Sequence, residues 1–147
     1  MFEFSALNRA PVAALLLGLG GLLPFAGLAL MVVLGATEPV DSPSGLLCDY
    51  AATILAFVGA LQWGYAIGTQ DRGWLRYLWG VIPALLAWVA LQLPHPLAQG
   101  VMAAGLIAAL AFDATFPVRA QPDWVLPLRL VLSAGAATSL LVAAFFA

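Results

Sequence analysis

Apolar residues in this chain come in long, nearly unbroken blocks, without the alternation that marks the half-buried elements of a water-soluble domain. The blocks cover residues of about 11–35, 46–68, 74–93, 97–116 and 125–146. A helix crossing the hydrocarbon core of a bilayer needs about 20 apolar residues, so each block predicts one span. The links are short: residues 36–45, residues 69–73, the Pro94-His95-Pro96 turn, and residues 117–124. Proline recurs in three of them and ends helices cleanly. Links of this length force successive helices to lie antiparallel. The predicted fold is all-α: an integral membrane five-helix bundle forming a single transmembrane domain over residues 1–147. Pro24 interrupts the first block, which a membrane helix tolerates when neighbours satisfy the freed carbonyl. That block exceeds the roughly 7–15 residues of a signal-peptide core and four more follow it, so it reads as an anchor.

Composition narrows the class. Of 147 residues, 64% are hydrophobic and 8% charged, against roughly 25% charged in an average soluble domain. So few charges cannot coat a globule in water, and disorder needs the opposite composition. Lysine is absent and the net charge is −2, which excludes a nucleic-acid-binding stripe. The arginines set the threading. Arg9 precedes the first span, Arg72 and Arg76 flank the second link, and Arg119 and Arg129 flank the fourth. All fall at one end of the predicted bundle, while Glu38, Asp41, Asp49 and His95 fall at the other. By the positive-inside rule the N-terminus is cytoplasmic and the C-terminus outside. Trp74, Tyr77, Trp79 and Trp124 gather at the same inner boundary, where amphipathic rings prefer to sit.

Small residues mark helix faces. Ala52, Ala56, Ala60, Gly64 and Gly68 recur every four positions along the second span. Gly100, Ala104 and Ala108 form one track in the fourth span, and Gly105, Ala109 and Asp113 form the next. Gly135, Ser139 and Ala143 do the same in the fifth. Such stripes let backbones approach in lipid. They read either as seams inside the bundle or as a face for a homo- or hetero-oligomer.

Polar groups inside a span cost about 2.5–3.5 kcal/mol each when charged at a helix centre, and mark function by default. Asp113 lies about one turn from the inner end of the fourth span, and Arg129 about one turn into the fifth. A pair between them, with Arg76 as the competing partner, cancels desolvation on both sides. It reads as an orienting staple or as a gate or proton site. Gln62 and Trp63 lie at similar depth in the second span. Gln62, Trp63, Asp113, Arg129 and Arg76 are therefore the candidate intramembrane polar site: either a small pocket open to the inner side or a lock between helices. At the outer end, Glu38, Asp41, Asp49 and His95 lack metal-ligand spacing, so no metal is assigned. His95 reads as a solvated turn residue, and Asp49 as an opening residue of the second span, favoured there by the macrodipole. Cys48 cannot form an internal disulfide, being alone, and reads as a small apolar side chain. No nucleophile elbow, zinc-protease motif, P-loop or C-x-x-C is present. The chain reads as a non-enzyme with no cofactor.

Four segments together carry a resemblance: Gly18 through Phe25 (GLGGLLPF), Tyr50 through Gly64 (YAATILAFVGALQWG), Gly80 through Trp88 (GVIPALLAW) and Asp123 through Ser133 (DWVLPLRLVLS). In order and spacing the chain resembles an uncharacterised family of small bacterial and mitochondrial membrane proteins that includes transmembrane protein 69. Phe57, Gly59, Trp63 and Gly64 are its most distinctive positions. The resemblance implies a multi-pass protein of the bacterial inner (cytoplasmic) membrane, or its mitochondrial equivalent, and implies no reaction. Two functions stay open. One is an accessory subunit or assembly factor that meets a membrane-protein partner, or a second copy, within the bilayer. The other is a small transporter, or a protein binding lipid or another small molecule at the inner polar site, with Pro24 and Pro83 as hinges.

Overall fold

The structure is a computed structural model describing residues 3–39, 42–119 and 121–147. A short 3-10 helix, Phe4–Arg9, is followed by α1 (Val12–Gly20), α2 (Leu22–Leu34), α3 (Pro43–Gly68), α4 (Leu75–Ala90), α5 (His95–Thr115) and α6 (Val125–Phe146). Among the described residues the α-helices number six, where the apolar blocks predict five. The extra one arises because the first block breaks at Gly21. Glycine is a poor helix former, and Pro24 has no N–H to offer the preceding turn. The Gly21 N–H bonds to the Leu17 and Gly18 carbonyls at 3.0 and 3.1 Å. The Tyr50 hydroxyl, reaching over from α3, donates to the Gly21 carbonyl at 2.9 Å. The two pieces still form one apolar stretch, Val12–Leu34, of 23 residues.

Among the described residues, that stretch, α3, α5 and α6 are the four helical segments long and apolar enough to cross a membrane. The remaining helix, α4, has 16 residues, which is about 24 Å of helix. It runs straight through Pro83 and stops at Ala90, short of the predicted end at 93, where Leu93 turns back onto the Ala90 carbonyl. α3 starts at Pro43, three residues before the predicted 46, because Ser42 caps it by accepting from the Gly45 N–H at 3.1 Å. Proline at the first helical position is preorganised for this start. Asp49, read from the sequence as an opening residue of that span, instead lies in the second turn and is exposed. His95, assigned to the turn, is the first residue of α5 and is also exposed.

α3 packs against α4, α2 and α5, and α6 packs against α5 and α2. The centre is built from Phe25, Leu47, Leu55, Met102, Leu106 and Leu140 among many buried alanines. Bilayer tails are as apolar as these side chains, so close packing holds helices together in lipid. Glycine sets the closest seam. A Cβ on Gly59 of α3 would sit 2.6 Å from the Gly80 carbonyl oxygen of α4. One on Gly105 of α5 would meet Leu55 and Leu86 at 2.9 Å each. The Gly105–Ala109–Asp113 track is the buried one on α5, while Ala104 and Ala108 face outward.

The stripe on α3 does not form an interior seam along its length. Ala52 and Ala56 are half-buried, while Ala60, Gly64 and Gly68 are exposed. A Cβ on Gly64 or Gly68 would meet nothing within 4 Å. The seam that α3 does make runs through Gly59, one residue and about 100° around the helix.

Candidate functional site

At the end of the bundle where α3 and α5 finish and α4 and α6 begin, four polar side chains from four helices meet. Gln62 of α3 sits at the centre with 2% of its surface exposed. Its amide nitrogen donates to Oδ1 of Asp113 on α5 at 2.5 Å. Its amide oxygen accepts from Nη1 of Arg76 on α4 at 2.8 Å. Asp113 Oδ2 faces Nη2 of Arg129 on α6 at 2.8 Å. Gln62, Asp113 and Arg129 are all buried. A buried carboxylate or guanidinium is tolerated only when its charge is compensated, and Asp113 and Arg129 each supply the opposite charge for the other.

Arg76 ties the group to the aqueous end. Its Nη2 donates to the Phe116 carbonyl at 2.7 Å, and Phe116 caps the C-terminus of α5. Carbonyls in the last turn of a helix lack partners within it, and a cation there also offsets the negative end of the macrodipole. Arg76 Nε lies 4.0 Å from Asp71 Oδ2 in the link before α4. The chain of contacts thus runs Asp71, Arg76, Gln62, Asp113, Arg129, with opposite charges in sequence. Phe112, next to Asp113 in the chain, belongs to a stack of aromatic rings. Trp79 stacks on Phe112 with centroids 4.6 Å apart, and Phe112 meets Phe116 at 4.9 Å.

Of the five residues placed at this site from the sequence, four converge. The expected contact of Asp113 with Arg129 is made directly. Arg76 reaches Asp113 through Gln62. Trp63 is not part of the group. Its indole N–H donates to the Tyr77 carbonyl at 2.9 Å, its ring meets Tyr77 edge-on at 5.2 Å, and 45% of it is exposed. It lies one residue beyond Gln62 and so points to another side of α3. The buried members of this group contact one another across α3, α5 and α6.

Tyr65, one turn along α3, lies within electrostatic reach of Arg129, Asp113 and Arg76. Asp71 and the Phe116 carbonyl also went unread in the sequence. Gln99 is a further omission: it is fully buried on α5, and neither of its amide atoms has a hydrogen-bond partner among the described residues. The signal was available, since Gln99 is the one polar side chain in residues 97–112. At the opposite end, no three His, Cys, Asp or Glu side chains among the described residues group closely enough for a metal ion. Asp41 lies outside the described residues. Cys48 is buried in the apolar core.

An apolar crevice of about 170 Å³ runs beside this group, between the α1–α2 break, α3 and α6. Arg129 and Ser133 line it, together with Gly18, Gly21, Phe25, Val58 and other apolar residues. Leu17 and Phe57 at its rim are exposed.

Known proteins place the chain. It is 35% identical over 146 residues to transmembrane protein 69 of Xenopus tropicalis, covering 95% of this chain and 56% of that protein. It is 27% identical over 127 residues to transmembrane protein 69 of Mus musculus, covering 83% of this chain and 51% of the relative. The chain therefore spans about half the length of the curated relatives it matches. No solved structure matches it. Residues 10–145 match the family described as "Protein of unknown function (DUF3429)", and a match over nearly the whole bundle, with the relatives above, makes this chain a member of that family of membrane proteins.

Proposed function

We propose that this chain is a non-enzymatic, multi-pass protein of the bacterial inner membrane that serves as an accessory subunit or assembly factor. In this reading its N-terminus lies in the cytoplasm and its C-terminus outside, a threading supported by the arginines at one end under the positive-inside rule. It works by receiving a transmembrane helix of another membrane protein on the outward face of α3.

The observation that carries this reading is the open small-residue face. Ala60, Gly64 and Gly68 are exposed, and the space beyond Gly64 and Gly68 is free. Close seams inside the bundle use other glycines, Gly59, Gly80 and Gly105. In lipid a stripe of small residues gains stability only when another backbone comes close enough to exploit it. Gly64 and Gly68 line a shallow groove with Val118 and Pro122, and Ala52 and Ala56 line a separate one with Ala84 and Trp88 between α3 and α4. Small side chains and backbone suit a packed helix better than a polar ligand. Gln62 divides its amide between Asp113 and Arg76, which suits a brace more than a reaction centre.

Photocrosslinking in native membranes tests this. A crosslinker at position 60, 64 or 68 should capture one partner protein in stoichiometric yield, one at Leu30 on α2 should not, and Gly64→Leu should release the partner in mild detergent. Adducts only with lipid, or only with a second copy of the chain, would contradict it. A ligand-binding role is the second reading, favoured by the crevice that touches Arg129.

A further inference from the structure

We propose that the crevice between the α1–α2 break, α3 and α6 holds one hydrocarbon chain of an anionic amphiphile, with the negative head drawn to Arg129. The proposal stands apart from helix docking on α3, and either can fail alone.

The shape comes from three features of the sequence. On the α1–α2 wall the helix breaks at Gly21, and Gly18 carries no side chain, a Cβ there coming within 3.2 Å of Leu132 on α6. On α6, Arg129, Leu132, Ser133 and Ala136 share one face, at the i, i+3, i+4, i+7 spacing of a helix, and all four line the crevice. Val58 and Leu106 close the back. The space, about 170 Å³, exceeds the ~150 Å³ that accepts a benzene-sized guest. Its rim residues Leu17 and Phe57 are exposed, so a chain seated inside continues outward into the bilayer.

The charge comes from Arg129. A guanidinium carries five N–H donors in a fixed fork. Nη2 has Asp113 Oδ2 beside it at 2.8 Å, yet neither Nη1 nor Nη2 makes a well-directed hydrogen bond, and both are buried. Arg76, by contrast, has Gln62, the Phe116 carbonyl and Asp71. Leftover donor capacity on a buried cation calls for acceptor oxygens, and guanidinium binds carboxylate and phosphate in bidentate fashion. Ser133, one turn along α6, adds a hydroxyl on the same wall. Arg129 sits at the arginine-rich end of the bundle, so a lipid of that leaflet has its head at the right depth and its chain pointing along the crevice. A phospholipid phosphate and a free fatty-acid carboxylate share this chemistry.

Native mass spectrometry of the full chain, purified in mild detergent and stripped of lipid, tests the proposal. Phosphatidylglycerol, phosphatidylcholine with the same acyl chains, and oleate are titrated separately. One equivalent of phosphatidylglycerol or of oleate should bind at least tenfold more tightly than phosphatidylcholine. Preference for phosphatidylglycerol assigns a lipid headgroup, and preference for oleate a free carboxylate. Gly18→Leu narrows the crevice, because a side chain at this lining position grows against Leu132 of the α6 wall, and should weaken that binding at least tenfold, while leaving Asp113 and Arg129 in place. The neutral double variant Asp113→Asn with Arg129→Gln should lose the preference for anions. Equal binding of anionic and zwitterionic lipid by the unsubstituted protein overturns the charge assignment, and unchanged binding by Gly18→Leu overturns the crevice. Neither outcome depends on the double variant folding.

Discussion

Gln62 and Asp113 lie 51 positions apart in the sequence, and their side chains meet at 2.5 Å inside the bundle. Because the Gln62 amide oxygen also accepts from Arg76, this one neutral side chain couples two charged ones on different helices. Three helices are clamped by a single amide, and Asp113 extends the clamp to α6 through Arg129.

Gln62→Leu keeps the volume and removes both hydrogen bonds. It leaves Arg76 and Asp113 each short of a partner, and an unmet buried group costs about 1–3 kcal/mol, more when charged. The variant should melt several degrees lower in detergent. Trp63→Leu, one position on, touches no member of the quartet and should leave the charged layer intact. Thermal unfolding of both, side by side, checks the ranking.

The glycines separate a seam from an open face. Gly59→Ala puts a methyl group 2.6 Å from the Gly80 carbonyl oxygen, and overpacking of this kind costs about 1–3 kcal/mol. Gly64→Ala meets nothing within 4 Å and replaces a poor helix former by the best one, a change worth up to about 1 kcal/mol in its favour. Melting temperatures should therefore fall for the first and hold or rise for the second. Equal losses would mean that Gly64 also lies in a seam.

Much of this arrangement was legible in the chain. The blocks of apolar residues gave the helix positions to within a few residues, with the first block split at Gly21 and the third too short to count among the four candidate spans, and the depth of Asp113, Arg129, Arg76 and Gln62 along their helices brought those four together. Depth is readable because helix rise is constant. Rotation about the helix axis is harder to read, since a face turned to lipid and a face turned to other helices are equally apolar. That is why Trp63 joined Gln62 on paper and parts from it in space. For the same reason the stripe through Gly64 and the seam through Gly59 look alike in the sequence, though only the second is closely packed. The break at Gly21 follows from the run of glycines before Pro24, whose local cost does not show in hydropathy. Gln99 was visible as a lone polar residue in an apolar helix, but no second polar group at its depth pointed to it.

The threading predicts which links share a compartment. With Cys48→Ser as background, a single cysteine at position 72 or 119 should react with a membrane-impermeant thiol reagent only from the cytoplasmic side of the membrane. One at position 147 should react only from the opposite side. Labelling of positions 72 and 147 from the same side would reverse part of the bundle.

The claim beneath the rest is that Asp113 and Arg129 hold α5 and α6 together as a mutually compensating buried pair. A double-mutant cycle measures this directly, through the unfolding free energies of Asp113→Asn, Arg129→Gln and the two combined. Each single change strands the other partner and should cost about 3–5 kcal/mol, while the combination should cost less than the sum by at least about 1 kcal/mol. Strictly additive losses would contradict the account.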